Sequence, residues 1–211
     1  MSYDAFASTF SASRKNLRWG EIEYFVEYIK IHFSQEKISL LDVGCGNGRF
    51  IEALEIWEFP SSYIGIDESH GMITEAKALH PDYSFRVLDM NHLEELSEQK
   101  TYDVIVFIAS FHHICTIQDR KKILKRTKKL LSPGGIVMMT NWNLLGEELF
   151  QKYEASHKWD GDFGIKIGAH DRYYHGFTLK ELQELFEQSG FTLIENRVFE
   201  GGKNIISIIS W

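Results

Sequence analysis

Residues Ile38–Phe50, reading I-S-L-L-D-V-G-C-G-N-G-R-F, constrain the fold more than any other stretch. The first half is a short apolar run, as in a fully buried strand. Gly44, Gly46 and Gly48 then alternate. Three such glycines after a strand make a tight turn whose backbone a ligand can approach closely. From Arg49 a helical spacing takes over, with Phe50, Ala53, Leu54 and Trp57 on one face. Strand, glycine turn and helix predict a nucleotide-type binding corner at the carboxyl end of a parallel strand.

The neighbours of this corner narrow the ligand. A dinucleotide site needs Gly or Ala at the sixth position of its glycine pattern, where this chain has Arg49. A P-loop needs Lys and Ser/Thr after the glycines, and neither is present. Asp42 ends the strand, and a carboxylate beside the turn suits a cation better than a pyrophosphate. Asp67 closes the next apolar strand, Tyr63–Ile66, at the distance of about twenty residues where a ribose diol is gripped. S-adenosylmethionine (SAM) has a ribose, an ammonium and a sulfonium, and no phosphate. The segments L-D-V-G-C-G-N-G, G-I-D-E-S and L-L-S-P-G-G-I, in that order, resemble the class I SAM-dependent methyltransferases over nearly the whole chain. The resemblance implies an α/β fold: a doubly wound, mostly parallel, seven-stranded sheet closed by an antiparallel hairpin. It implies SAM as cofactor, held by Asp42, Gly44, Cys45, Gly46, Asn47, Gly48, Asp67, Glu68, Asp89, Met90 and Ala109.

Composition bounds the organisation. A chain of 211 residues, 44% hydrophobic with 3 prolines and no Ser/Gly-rich run, predicts one domain carrying an insertion. Two cysteines, Cys45 and Cys115, cannot build a disulfide framework, so a reducing cytoplasm is expected. The N-terminal residues lack the basic flank and apolar core of a signal peptide, and no apolar run approaches membrane-spanning length. A formal net charge of −7 argues against generic nucleic-acid binding, though not against a specific RNA substrate.

Residues 1–35 read as a helical lid, with a helix over Glu21–Phe33. Arg14, Lys15 and Arg18 are either a solvated start or part of that lid, with Arg14 near the carboxylate of the ligand. Ser69 predicts the cap of a helix to about Leu79. The third strand, Tyr83–Val87, leads to Asp89, which either accepts from an adenine amino group, as the backbone of Met90 does in the alternative, or caps a turn before Asn91. Tyr102–Ile108 reads as a central strand, ending in Ala109, Ser110, Phe111, His112 and His113. Either histidine is a candidate general base; otherwise one packs beneath the cofactor and the other faces solvent. Being adjacent, with no third ligand at suitable spacing, they predict no metal site.

Gln118–Leu131 reads as a helix with Ile123, Leu124, Thr127, Leu130 and Leu131 buried. Arg120, Lys121, Lys122, Lys125, Arg126, Lys128 and Lys129 take its other faces, as a solvated surface or an RNA-facing patch. Ser132–Gly135 is expected to end the helix before a strand at Ile136–Thr140. Residues 141–176, rich in aromatics and glycine, break the rhythm as an insertion over the mouth of the pocket, where substrate is recognised. Thr178 and Glu181 predict a capping box, and Phe191–Phe199 with Asn204–Trp211 a hairpin through Gly201 and Gly202.

Three segments resemble a narrower group: F-S-A-S-R-K-N-L-R-W, H-H-I-C-T-I-Q-D-R and D-R-Y-Y-H-G-F-T-L-K-E-L. The group is the tRNA methyltransferases that esterify 5-carboxymethyluridine at the wobble position. Members occur alone or fused to a dioxygenase, and several work with a small zinc-binding activator protein. Gly20 stands where that group usually has Pro, and Gly164–Ala169 where it tends to have a V-P-W-like segment. A carboxylate acceptor is already ionised and needs no base, only positioning, exclusion of water and an orienting cation. Arg172 is the first candidate for that cation, with Arg14 and Lys166 behind it. Competing readings are a small-molecule O- or C-methyltransferase that uses a base such as His112, and a SAM-binding subunit without catalysis.

Overall fold

The computed structural model describes residues 19–33, 37–56, 61–96, 100–167 and 170–211. Arg14, Lys15 and Arg18 lie outside these residues. Seven strands form one sheet in the order β3-β2-β1-β4-β5-β9-β8. They are β1 (Ile38–Val43), β2 (Ser61–Asp67), β3 (Ser84–Val87), β4 (Tyr102–Ile108), β5 (Leu131–Trp142), β8 (Thr192–Val198) and β9 (Asn204–Ser210). Strands β1 to β5 pair in parallel, while β9 runs antiparallel to both β5 and β8. This is the expected mostly parallel sheet with its closing hairpin.

Both faces are covered, which is why the central strands are continuous apolar runs. Helices α1 (Gly20–Phe33), α2 (Arg49–Ile56) and α3 (His70–Leu79) cover one face; α4 (Ile117–Leu130) and α6 (Leu179–Gln188) cover the other. Local signals set the ends. Ser69 accepts from the Met72 N–H to start α3, and Thr178 accepts from the Glu181 N–H to start α6. The second half of the expected capping box is replaced: the Glu181 carboxylate contacts His175 at 2.8 Å and Arg120 at 3.5 Å.

Two expectations change. Expected as part of a lid, α1 is a structural layer, with Phe25, Val26 and Ile29 fully buried. Its Tyr24 hydroxyl donates to Glu195 of β8, and Asn204 of β9 donates to Glu21. Among the described residues of this segment, only Trp19, just before the helix, reaches the cavity described below. The second change is the start of β5. Leu131 already pairs with Tyr102, and pairing resumes at Ile136 opposite Val104, so residues 132–135 bulge from within the strand. The bulge is held by Asp103. Its Oδ1 accepts from the Ser132 hydroxyl at 2.7 Å, and its Oδ2 accepts from the Ser39 N–H at 2.8 Å and hydroxyl at 2.9 Å.

The insertion has its own architecture. Helix α5 (Glu147–Tyr153) and the antiparallel pair β6 (Asp162–Ile167) and β7 (His170–His175) stand apart from the main sheet. They enclose a separate apolar cluster of Leu144, Leu149, Phe163, Ile165 and Tyr174. No helix among the described residues is long and apolar enough to cross a membrane.

Asp103 ties β1, β4 and β5 together at one end of the sheet. Burial pushes its pKa up, but the bonds from Ser39 and Ser132 win, and the carboxyl is held below its usual value. The sign follows from linkage: a depressed carboxylate stabilises above the ordinary range near 4, and that contribution is lost as pH falls through its folded pKa. Asp103→Ala should cost about 1.5–3 kcal/mol at pH 7, on the scale of hydrogen bonds to a charged group. Urea denaturation at pH 7 and pH 3 checks this; the gap between variant and parent should narrow at pH 3.

Candidate active site

A cavity of about 470 Å³ opens at the carboxyl ends of β1, β2 and β4, within the usual range for small-molecule sites. The strand order reverses between β1 and β4, the place where open α/β sheets bind ligands. Its lining includes Asp42, Gly44, Cys45, Gly46, Asn47, Asp67, Glu68, Asp89, Met90 and Ala109. Of the expected cofactor residues among those described, Gly48 alone stands behind the wall. A side chain there would meet His80 at 2.9 Å.

The glycines differ in purpose. Gly44 has φ +75°, and a Cβ on it would lie 2.5 Å from Cβ of Ser110, so it permits close packing of β1 against β4. Gly46 has φ +56°, and a Cβ there would meet nothing within 4 Å. That space opens on the cavity, and a side chain would fill it.

Two carboxylates sit in this corner. Tyr63 donates to Asp42 Oδ2 at 2.8 Å, while Asp42 Oδ1 is buried without a hydrogen-bond partner among the described residues. Burial pushes the Asp42 pKa up to about 7. Asp67 Oδ2 accepts from the Gly46 N–H at 3.0 Å and Oδ1 from the Ser69 N–H at 2.9 Å. Burial raises its pKa to about 6 in spite of these bonds. SAM fits this donor set: an orphaned buried carboxylate oxygen calls for a cation, and the Gly46 surface leaves room beside it. Asp89 lines the cavity and also caps the turn at Met90–Glu95, its Oδ1 accepting from the Asn91 N–H at 2.8 Å.

The opposite wall comes from the turn after β4 and from β7. Ala109 has φ 51°, an unusual backbone for a non-glycine residue, held by bonds from its N–H to the Thr140 carbonyl and hydroxyl. The two histidines part ways. His112 is 1% exposed and absent from the cavity lining; its Nδ1 accepts from the Trp142 N–H at 3.1 Å. His113 lines the cavity, with Nδ1 3.0 Å from the Tyr173 carbonyl. A carbonyl only accepts, so Nδ1 carries the proton and Nε2 the lone pair. Burial, with the Arg172 charge nearby, pushes the His113 pKa down to about 4.

Arg172 lines the cavity from β7, beside Asp171 and Tyr173. Lys166, opposite Asp171 in the hairpin, is exposed and not in the lining. Residues not singled out from the sequence also contribute. Arg49, the first residue of α2, stacks over the Trp19 ring at 4.9 Å, and both line the cavity. Only the helix start at Arg49 hinted at this position.

A polar network fixes β7. Arg120 belongs to it and is 3% exposed, so it is neither solvated nor RNA-facing. It donates to the Ile114 and Cys115 carbonyls and to the Tyr173 hydroxyl. The Tyr173 hydroxyl donates to Asp162, and the His175 ring bridges Asp162 and Glu181 at 2.8 Å each. Above it, Tyr174 stacks on Trp142 at 4.9 Å and 13° and packs against both histidines. Arg120→Ala leaves buried partners unmatched and should destabilise the fold by about 3–5 kcal/mol, the scale for breaking a buried ion pair. Arg120→Lys should recover only part, because one ammonium cannot replace the guanidinium fork. Chemical denaturation of both variants checks the order.

The methyltransferase domain family matches residues 12–196. Over 141 residues the chain is 30% identical to the tRNA (carboxymethyluridine(34)-5-O)-methyltransferase of Arabidopsis thaliana, covering 66% of this chain and 31% of that protein. It therefore spans about a third of that relative's length. It is 27% identical over 199 residues to malonyl-(acyl-carrier protein) O-methyltransferase of Priestia megaterium, 92% of this chain and 66% of the relative. The SAM-bound structure of CalS10, an amino pentose methyltransferase from Micromonospora echinaspora, aligns at 15% identity with a TM-score of 0.70, covering 96% of this chain and 95% of that one. With a family match over most of its length and the SAM-dependent methyltransferase fold, the chain belongs to the methyltransferase domain family.

Proposed function

We infer that this SAM-dependent methyltransferase transfers a methyl group to a carboxylate oxygen, and that the carboxylate belongs to a carboxymethyl group on a tRNA wobble uridine. One observation carries the reading: the cavity pairs a cation, Arg172, with an imidazole, His113, whose pKa of about 4 makes it a poor base near neutrality. A phenol or hydroxyl acceptor needs a base with a pKa near the working pH. A carboxylate needs none, being ionised above about pH 4. His112, buried away from the cavity, keeps a packing role. The carboxylates with raised pKa values, Asp42 and Asp67, occupy the glycine corner, the side assigned to the cofactor.

When bound, SAM supplies an electrophilic methyl group on a sulfonium. Asp42 Oδ1 would accept from its ammonium, and Asp67 would accept from its ribose hydroxyls. Asp89 and the Met90 backbone would face its adenine, Gly46 would leave room for it, and Trp19 with Arg49 would form the adjoining wall. Arg172 holds the acceptor carboxylate and orients one oxygen toward the methyl group. The insertion, anchored by the Tyr174–Trp142 stack, keeps water out. The groups named for the two relatives above, carboxymethyluridine and a malonyl carrier, each end in a carboxylate. Among these, the tRNA reading is supported by the R-Y-Y-H segment, whose first residue is Arg172.

Cofactor binding should depend on pH. An ammonium favours the ionised form of Asp42, so binding expels a proton while that carboxyl is protonated. SAM affinity should therefore rise as pH climbs through about 6 to 7, then level off and fall as an α-amino group loses its proton near about 8. Asp42→Asn should flatten the rise, and Gly46→Val should abolish binding. Calorimetry in two buffers of different ionisation heat reads the proton release directly.

The chemistry should not depend on pH in the same way. At saturating SAM, single-turnover methylation of carboxymethyluridine in tRNA should be nearly flat from about pH 6 to 9. Arg172→Ala should raise KM for the acceptor and reduce kcat/KM. A rate that climbs with pH and is abolished by His113→Ala, with Arg172→Ala close to the parent, would assign the enzyme to a hydroxyl or phenol acceptor. Nucleoside mass spectrometry of the labelled product identifies the acceptor.

A further inference from the structure

Gln118, Lys121, Lys122, Lys125, Arg126 and Lys129 line a shallow hollow on α4, outside the cavity. Helical periodicity collects them there: the opposite stripe, Ile123, Leu124, Thr127 and Leu130, is buried. The hollow holds five cations and no acid in a chain of formal net charge −7. Arg126 is answered by Glu94 at 2.7 Å. Lys121, Lys122 and Lys125 form no ion pair with any described residue. Cations four residues apart on one helix, such as Lys121 with Lys125, repel and destabilise it. A polyanion would relieve that repulsion.

We propose that this hollow receives backbone phosphates of the RNA acceptor while its modified base occupies the cavity; the proposal rests on the tRNA reading above. Placement supports it. Asp119 and Cys115, at the start of α4, line the cavity. At about 1.5 Å of rise per residue, Lys122 and Lys125 stand roughly 5 and 9 Å further along the helix axis than Asp119. A strand leaving the cavity along α4 meets them in turn. Side-chain chemistry points the same way. Protein interfaces favour aromatic residues, Met and Arg and are depleted in Lys, whereas phosphate contacts are built from Lys and Arg. Four of the six lining residues are lysines, and none is aromatic or aliphatic.

The test is the pair Lys122→Glu and Lys125→Glu, both on exposed positions, with Lys122→Arg and Lys125→Arg as the charge-conserving control. Affinity for unmodified tRNA is measured by filter binding across a salt series, and SAM affinity by calorimetry. The reversed variant should bind tRNA about tenfold or more weakly at low salt, with a salt slope shallower by roughly 1 to 2. SAM affinity should match the parent, the thermal midpoint should not fall, and the arginine control should bind tRNA normally. Parent-like tRNA affinity and slope in the reversed variant would overturn the hollow while leaving the tRNA reading intact. A parent protein with no tRNA affinity would remove both. Affinity for an acidic acyl-carrier protein instead, lost on charge reversal, would assign the hollow to a protein and overturn the RNA proposal.

Discussion

Where β1 ends, the Ser110 hydroxyl donates to the Val43 carbonyl at 2.6 Å, and the missing side chain of Gly44 lets the β4 end come so near. This one contact closes the sheet at its switch point and shapes both walls of the cavity. On one side the chain must turn at once into the Gly44–Gly48 corner, which carries Asp42 behind it and the Asp67 bonds across it. On the other, Ala109 takes a positive φ, and the following turn places His112 inward and His113 toward the cavity. The geometry of ligand and acceptor walls is thus set by the ends of two central strands, which the packed core holds rigid.

The β7 wall of the cavity is joined to this frame by two kinds of contact. Aromatic stacking of Tyr174 on Trp142 binds β7 to the end of β5. The Arg120, Tyr173, Asp162, His175 and Glu181 network binds the same strand to α4 and α6. Burial pushes the Asp162 carboxyl upward, but its bonds from Tyr173 and His175 prevail and keep it ionised. Arg172 directly precedes Tyr173 and Tyr174 on β7, so the backbone that carries it is held by both kinds of contact.

The glycine corner was legible because it demands particular residue types at fixed spacing, and its Asp42, Gly44, Gly46 and Asp67 all reach the cavity. The sheet and its closing hairpin were legible from apolar runs and turn residues. Arg120 was misread for an instructive reason. It stands at i with Ile123, Leu124 and Thr127 at i+3, i+4 and i+7, so periodicity already placed it on the buried stripe. Its charge argued for the surface, and only the tertiary partners from β7 and α6 show why a guanidinium is tolerated there. The bulge at 132–135 escaped notice because Pro133 and Gly134 look like a helix stop whether or not a strand has begun. Trp19 reaches the cavity through packing against Arg49, thirty residues away in the chain, which no local pattern encodes.

The β6–β7 pair shares no ladder with the seven-stranded sheet and keeps a separate apolar cluster. A lone two-stranded hairpin has little stability of its own, so it persists only by leaning on its neighbours through side chains. That arrangement partitions the molecule into a hydrogen-bonded floor and a separately packed roof. Side chains of the roof that line the cavity can change without breaking any backbone bond of the floor. A change of specificity on such a scaffold would therefore call for redesign of one hairpin and its helix, with the sheet left as it is.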